Sequence, residues 1–406
     1  MLRLTILVLA AGISLAQAPV RSGATPARPA SAGELASQAF EAAFNLDQAE
    51  ALAAARELVT LEPGASQSHR VLATVLWTDI LFNIGAISTD HFLGSLTKSK
   101  DTRPPVPVAV EREFDESVTR AIELAQADIR QNPDSISARF DLGAAYAIQA
   151  SFNASIRGSL ASAFGAARRA YKAQEDVLKR NPDHPGANIM AGTYRYAVAG
   201  LRFPSRWLAY LAGFSGDRER GIAMIEAASA KPGAAYDALP SLLLIYTREK
   251  RYDDALDVAE RLSRAFPRNR LFVLEAGVAA LRAGHAARAE RVLRNGFEAF
   301  GADPRRKAPG EEALWLYKWA AALIELGQPA EAAPLLDRAL ARNPLGWVEG
   351  RIHLERGKVA DLSGRRTDAV SAYRLARTIA SRDDDPVGRD AAEALLDRPF
   401  EKGGMP

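Results

Sequence analysis

The sequence predicts an all-α chain assembled from repeated antiparallel helix pairs, and three observations carry that prediction. A 17-residue helical pattern recurs eight times, every copy places a small residue at the same slot, and six of the eight copies close on proline. The composition agrees, because alanine and leucine, the strongest helix formers, are abundant while aromatic residues make up only 7%.

The chain opens on MLRLTILVLAAGISLAQA, residues 1–18, where Arg3 precedes an apolar run from Leu4 to Ile13 that ends among small residues. That three-part order predicts a secretory signal peptide, cleaved after Ala16 or Ala18, with Ala16 favoured because Pro19 is a poor residue directly after a cut. The stretch from Leu4 to Leu15 falls short of the roughly 20 apolar residues that a bilayer span needs. Residues 19–33, PVRSGATPARPASAG, lack apolar periodicity and predict a flexible linker. The folded body is expected over 34–400, with a disordered tail at 401–406, and the mature protein is expected to be periplasmic or secreted, with at most peripheral membrane contact.

The repeats follow. DQAEALAAARELVTLEP (47–63), SVTRAIELAQADIRQNP (117–133), AARRAYKAQEDVLKRNP (166–182) and GDRERGIAMIEAASAKP (216–232) lead to RYDDALDVAERLSRAFP (251–267), the clearest copy. There Ala255, Leu256, Ala259 and Leu262 recur at helical spacing. HAARAERVLRNGFEAFG (285–301), QPAEAAPLLDRALARNP (328–344) and RRTDAVSAYRLARTIAS (365–381) complete the series. The slot holds Ala51, Ala121, Ala170, Gly221, Ala255, Ala289, Ala332 and Ala369, at intervals of 70, 49, 51, 34, 34, 43 and 37. A second helix must lie close against its first, and only a small side chain permits two backbones to approach there. Proline then ends the helix, since it lacks the amide hydrogen and drives the preceding residue out of helical angles.

First helices precede the copies at 137–149, 271–284, 314–327 and 351–364, and three of these four end on glycine, a common C-terminal stop. DDDPVGRDAAEALLDRPF, residues 383–400, predicts one last helix with a polar outer face, as a helical array needs at its end. The series thus amounts to about eight helix pairs with insertions at 83–107 and 200–216.

The 34-residue interval matches the tetratricopeptide period. With LGAAY at 142–146, YDDAL at 252–256 and the Asn-Pro endings at 132–133, 181–182 and 343–344, the chain resembles the tetratricopeptide repeat (TPR) family over most of 34–381. The family's aromatic near the start of the first helix is mostly missing, with Arg139 and Val273 in its place. The resemblance implies a right-handed superhelical solenoid whose concave face, lined by first helices, holds a protein or peptide partner. WLAYLAGFSGDRERG at 207–221 also resembles an aromatic insert of uncharacterised exported bacterial TPR proteins.

Composition narrows the chemistry. No cysteine is present, which removes disulfides, thiol catalysis, Cys-ligated zinc and a lipoprotein anchor. The 52 basic and 49 acidic residues are interspersed, and no nucleic-acid motif appears, so no nucleic-acid partner is expected. A nucleophile elbow, a paired-His helix, a phosphate loop and a dinucleotide fingerprint are all missing, so no enzyme, metal or cofactor is expected.

The candidate partner-binding residues fall in two groups. The 200–216 insertion gathers Phe203, Arg206, Trp207, Tyr210 and Phe214, a hydrophobic plug in one reading and a docking anchor in the other. The first helices are expected to present Phe140, Arg195, Tyr196, Arg248 and Arg282 along the groove, where arginines suit carboxylates or phosphates. In the 83–107 insertion, Asp90 beside His91 suggests a base or metal site, but adjacent residues point apart and no third ligand is spaced to help, so a polar loop is expected. Arg305, Arg306 and Lys307 are expected in a solvated turn. The alternative reading is an exported enzyme, or an accessory of envelope or carbohydrate processing, with its site in an insertion.

Overall fold

Ser31 begins the helical body. Its hydroxyl accepts the Glu34 amide at 3.3 Å while the Glu34 carboxylate accepts the Ser31 amide at 2.8 Å, a reciprocal pair that satisfies two amides left over at a helix start. The first helix therefore starts at Ala32, inside the stretch expected to be linker. At the other end Lys402, expected in a disordered tail, donates from Nζ to the Leu326 carbonyl at 3.0 Å. This computed structural model describes residues 30–93, 104–201, 214, 216–231 and 233–403. The signal peptide and most of the linker lie outside the described residues.

Among the described residues there are seventeen α-helices, one short 3-10 helix and no strand. In chain order they are α1 (Ala32–Phe44), α2 (Gln48–Leu61), α3 (Ser66–Asn83), α4 (Val108–Gln131), α5 (Ile136–Ser155), α6 (Leu160–Arg180), α7 (Pro185–Ala199), α8 (Arg218–Ser229) and α9 (Ala235–Arg248). There follow α10 (Tyr252–Ala265), α11 (Arg270–Arg282), α12 (Ala286–Ala302), α13 (Glu311–Glu325), α14 (Pro329–Leu340), α15 (Gly346–Leu362), α16 (Arg366–Arg382) and α17 (Pro386–Asp397). All eight predicted second helices are present as the even-numbered ones. The four predicted first helices are α5, α11, α13 and α15, and the predicted last helix is α17.

Contacts divide the chain into two compact units, Met1–Ile80 with Val106–Ile245, and Leu81–Pro105 with Tyr246–Pro406. In the first, α1 packs on α2, α5 on α6 and α7 on α8. In the second, α11 packs on α12, α13 on α14 and α15 on α16, with α17 covering α16.

The small-residue slot is the buried seam of these pairs. Its seven alanines are at most 1% exposed, and Gly221 is buried too. At Gly221 the requirement is most severe, because a Cβ there would stand 2.6 Å from the Gly192 carbonyl oxygen of α7. Two glycines thus face each other across α7 and α8. Gly277 of α11 is filled by Leu293 of α12 in the same way, and Gly357 of α15 by the Tyr373 ring of α16.

Buried ion pairs tie one first helix to the next. In the first unit Arg70 of α3 donates from Nε to Asp141 of α5 at 2.6 Å, and Ser66 holds the other oxygen at 2.8 Å. In the second, Arg270 of α11 grips Glu311 of α13 with two hydrogen bonds of 2.6 and 2.9 Å. Arg351 of α15 grips Asp385, which precedes α17, at 2.9 and 3.0 Å. Each is a planar two-pronged or charge-assisted contact that fixes orientation. Their removal one partner at a time would leave a buried charge unmatched.

Two substitutions separate packing from helix propensity. Gly221→Val drives a side chain into the Gly192 backbone and is expected to cost about 1–3 kcal/mol. Gly165→Ala, on α6 with nothing within 4 Å of its Cβ, is expected to stabilise by up to about 1 kcal/mol. Urea unfolding followed by circular dichroism measures both, and equal effects would remove the close-approach explanation.

Candidate partner-binding site

Between α3 and α4 the chain leaves the repeat. Gly85 turns with φ +74, and a Cβ there would come within 2.7 Å of the Pro309 carbonyl oxygen and 2.8 Å of a Leu345 methyl. Only glycine suits that combination of angle and space. A 3-10 helix, Thr89–Phe92, follows, with the Ser88 hydroxyl accepting the Asp90 amide at 3.2 Å. Ile84, Ser88, Thr89, Asp90 and Phe92 are all buried. The polar loop expected over 83–107 is therefore not what its described part forms: residues 84–93 are laid against the first helices of the second unit, while 94–103 lie outside the described residues.

Asp90 is fully buried, and three cations meet it. Arg282 at the end of α11 and Lys318 in the middle of α13 each bond one carboxylate oxygen, and Arg351 of α15 approaches to 3.3 Å. Three successive first helices thus converge on one carboxylate. The backbone on either side is held as well. The Thr89 amide donates to Glu275 Oε1 of α11 at 2.9 Å, and Arg248 at the end of α9 donates to the Phe92 carbonyl. The His91 ring meets the Trp347 ring edge-on with centroids 6.2 Å apart, and the Arg351 guanidinium lies 5.2 Å from that same indole. Phe82 adds an apolar anchor beneath Arg270 and Arg306, whose guanidinium carbons lie 5.9 and 5.1 Å from its ring centre.

The electrostatics follow from burial and charge together. Loss of water alone would raise the Asp90 carboxyl, but Arg282, Lys318 and Arg351 outweigh it and hold the group well below the usual carboxylate range. Burial likewise opposes the charge on Arg351, and Asp385 with Asp90 more than restores it. A carboxylate held this strongly ionised is a poor proton acceptor. With Arg248, Glu275 and Asp385 included, the cluster carries four positive and three negative charges. Such an arrangement binds and orients a carboxylate. The described residues contain no group of three or more His, Asp or Glu able to hold a metal ion.

The pieces around this site are first helices, each backed by a second helix through an alanine seam and repeated along the chain. The fold is a tetratricopeptide-type helical array. No protein-family model matches the chain, and no curated protein does. Solved structures of low identity are similar to it. A tetratricopeptide repeat protein from Parabacteroides merdae shares 12% identity, covering 71% of this chain and 96% of its own, with a TM-score of 0.41. Human IFIT1, solved as a dimer with m7Gppp-AAAA, shares 14% over 89% of this chain and 80% of its own, with a TM-score of 0.44. Yeast Tom70 shares 12% over 88% and 87%, with a TM-score of 0.39.

The sequence-selected residues are placed unevenly along this TPR-type array. Arg282 and Arg248 both reach the 84–93 segment. Arg195 is paired with Glu175 at 2.8 Å on the first unit. Phe140 and Tyr196, expected to be presented on the groove, are only 6% and 5% exposed and offer little surface: Phe140 stacks with His184, centroids 4.8 Å apart. Phe214 is buried against Phe164 and Tyr171, with centroids 5.4 and 5.3 Å away. Phe203, Arg206, Trp207 and Tyr210 lie outside the described residues. In the turn after α12, Arg305 pairs with Asp303 at 2.8 Å and Arg306 donates to the Asn83 side chain at 2.6 Å. Sequence reasoning missed Lys318, Arg351, Glu275 and Trp347. A faint signal existed for the first, a lone lysine inside the apolar run LWLYKWAAALIELG.

Asp90 makes a pH-dependent contribution whose sign is fixed. Its folded pKa is depressed, so the stabilisation is fully present above the unfolded carboxylate value of about 3.9 and is lost as pH falls through the folded value. Asp90→Asn is expected to cost about 3–5 kcal/mol at pH 7, because it leaves buried cations unmatched. Urea unfolding at a series of pH values should show the gap between parent and variant closing below about pH 4; a gap that persists unchanged in acid would sink the assignment.

Proposed function

We propose that this chain is an exported TPR-like scaffold that holds a protein or peptide partner along its first helices and performs no catalysis of its own. The observation that carries this reading is the 84–93 segment. The first helices of the second unit engage it as peptides are engaged, through one side-chain carboxylate, a backbone amide, a backbone carbonyl and an aromatic edge. A protein partner is favoured over nucleic acid because most of the cations of that face are matched by acids. Export rests on residues 1–18, and no helix among the described residues is long and apolar enough to cross a membrane.

Two measurements test the reading. Random peptides displayed on phage and selected against the full chain are expected to converge on one motif, whereas mixed-sequence RNA is expected to show no retention. Retention of RNA without peptide convergence would replace the partner class. For export, N-terminal sequencing of the protein recovered from its native host is expected to begin at Gln17, and a retained Met1 would remove that part of the proposal.

A further inference from the structure

The Asp90 site is already full, and its occupant belongs to the chain itself. We infer that Arg282, Lys318 and Arg351 form a receptor for an internal aspartate of a partner peptide, and that Ser88–Phe92 occupies this receptor in cis until such a segment takes its place. The inference deepens the peptide-scaffold reading and rests on it.

Charge complementarity specifies the partner. Arg282, Lys318, Arg351 and Arg248 stand against Glu275 and Asp385, so the site without Asp90 keeps an excess of positive charge and calls for a carboxylate. The reach is that of a side chain within a continuing backbone, because the amide before it and the carbonyl two residues after it are both engaged. A free terminal carboxylate would leave the Phe92 carbonyl position empty. The aromatic edge of Trp347 lies beside the residue following the aspartate. A segment of the type Thr-Asp-His-Phe thus meets every contact, whichever chain supplies it.

The repeat does not need the segment for its own helix packing. It lies between α3 and α4, and the seams of α11 to α16 are filled by Ala289, Leu293, Ala332, Ala369 and Tyr373. What the segment supplies is the Asp90 charge, the buried Phe92 side chain and the His91 edge against Trp347. An occupant that neutralises a site without building its framework is replaceable by an equivalent group in trans. Occupation in cis lowers the apparent affinity for the outside segment by the fraction of time that the site stands open.

The experiment uses the full chain carrying Asp90→Ala and two labelled peptides, AISTDHFL, which is the sequence of residues 86–93, and the same peptide with asparagine for aspartate. Fluorescence anisotropy is expected to show the variant binding AISTDHFL at least about tenfold more tightly than the parent does, and about tenfold more tightly than it binds the asparagine peptide. AISTDHFL should also raise the Tm of the variant and leave that of the parent unchanged. A folded variant that binds neither peptide, or both equally, overturns the inference and makes Asp90 a fixed internal strut. Should the variant fail to fold alone, recovery of its helical circular dichroism on adding AISTDHFL supports the inference, and no recovery overturns it. Tighter binding of a mixed-sequence RNA than of AISTDHFL overturns the partner class. Peptides enriched on the parent chain while these arms fail would leave the scaffold reading standing and remove only the receptor.

Discussion

Like charges drawn from successive helices cannot be buried together without an anion among them. Arg282, Lys318 and Arg351 come from α11, α13 and α15, and it is the fully buried carboxylate of Asp90 that lets them share one face. Coulomb repulsion between unit charges a few ångströms apart is several kcal/mol even at an effective dielectric near 20. The conformation of the second unit's first-helix face is therefore conditional on a carboxylate being there. Without this feature the array would be held by its seams and by the ion pairs between first helices; here a buried polar contact is shared by three first helices as well.

Beneath that contact lies a separate and more uniform constraint. Every pair is closed by a residue no larger than alanine, from Ala51 to Ala369, and at Gly221 even a methyl group is too large. The ion pairs Arg70 to Asp141, Arg270 to Glu311 and Arg351 to Asp385 then set how one first helix meets the next. Seams act within a pair and ion pairs act between pairs. Arg351 belongs to both the framework and the site, bonding Asp385 on one side and facing Asp90 on the other.

The repeated helices were legible because their determinants are local. Periodicity, a small slot and a closing proline lie within seventeen residues, and all eight second helices follow from them. The site was only half legible for the opposite reason. Arg282 and Arg248 could be named from a helix face, but what they bind is 192 and 156 residues away in sequence, and no local pattern encodes that distance. Asp90 was noticed for its neighbour His91, yet the two side chains serve different partners, one a cation cluster and the other an indole edge. Phe140 and Tyr196 were expected to be presented on the groove but are buried, on helices where most positions are buried and periodicity does not separate one face from another. The same seams that make the fold readable make faces of a helix hard to tell apart when alanine fills both.

The sequence separation of the Asp90 contacts has a consequence for how the molecule assembles. Repeat arrays fold from neighbours outward, since each unit touches only the next. Here Asp90 meets Lys318 across 228 residues, and the whole of Val106–Ile245 is synthesised in between. Closing such a loop costs chain entropy that local hairpins do not incur, and topologies dominated by distant contacts fold slowly. The seams close over short stretches of chain and the Asp90 contacts over a long one, so docking that carboxylate carries the larger loop-closure cost in the second unit.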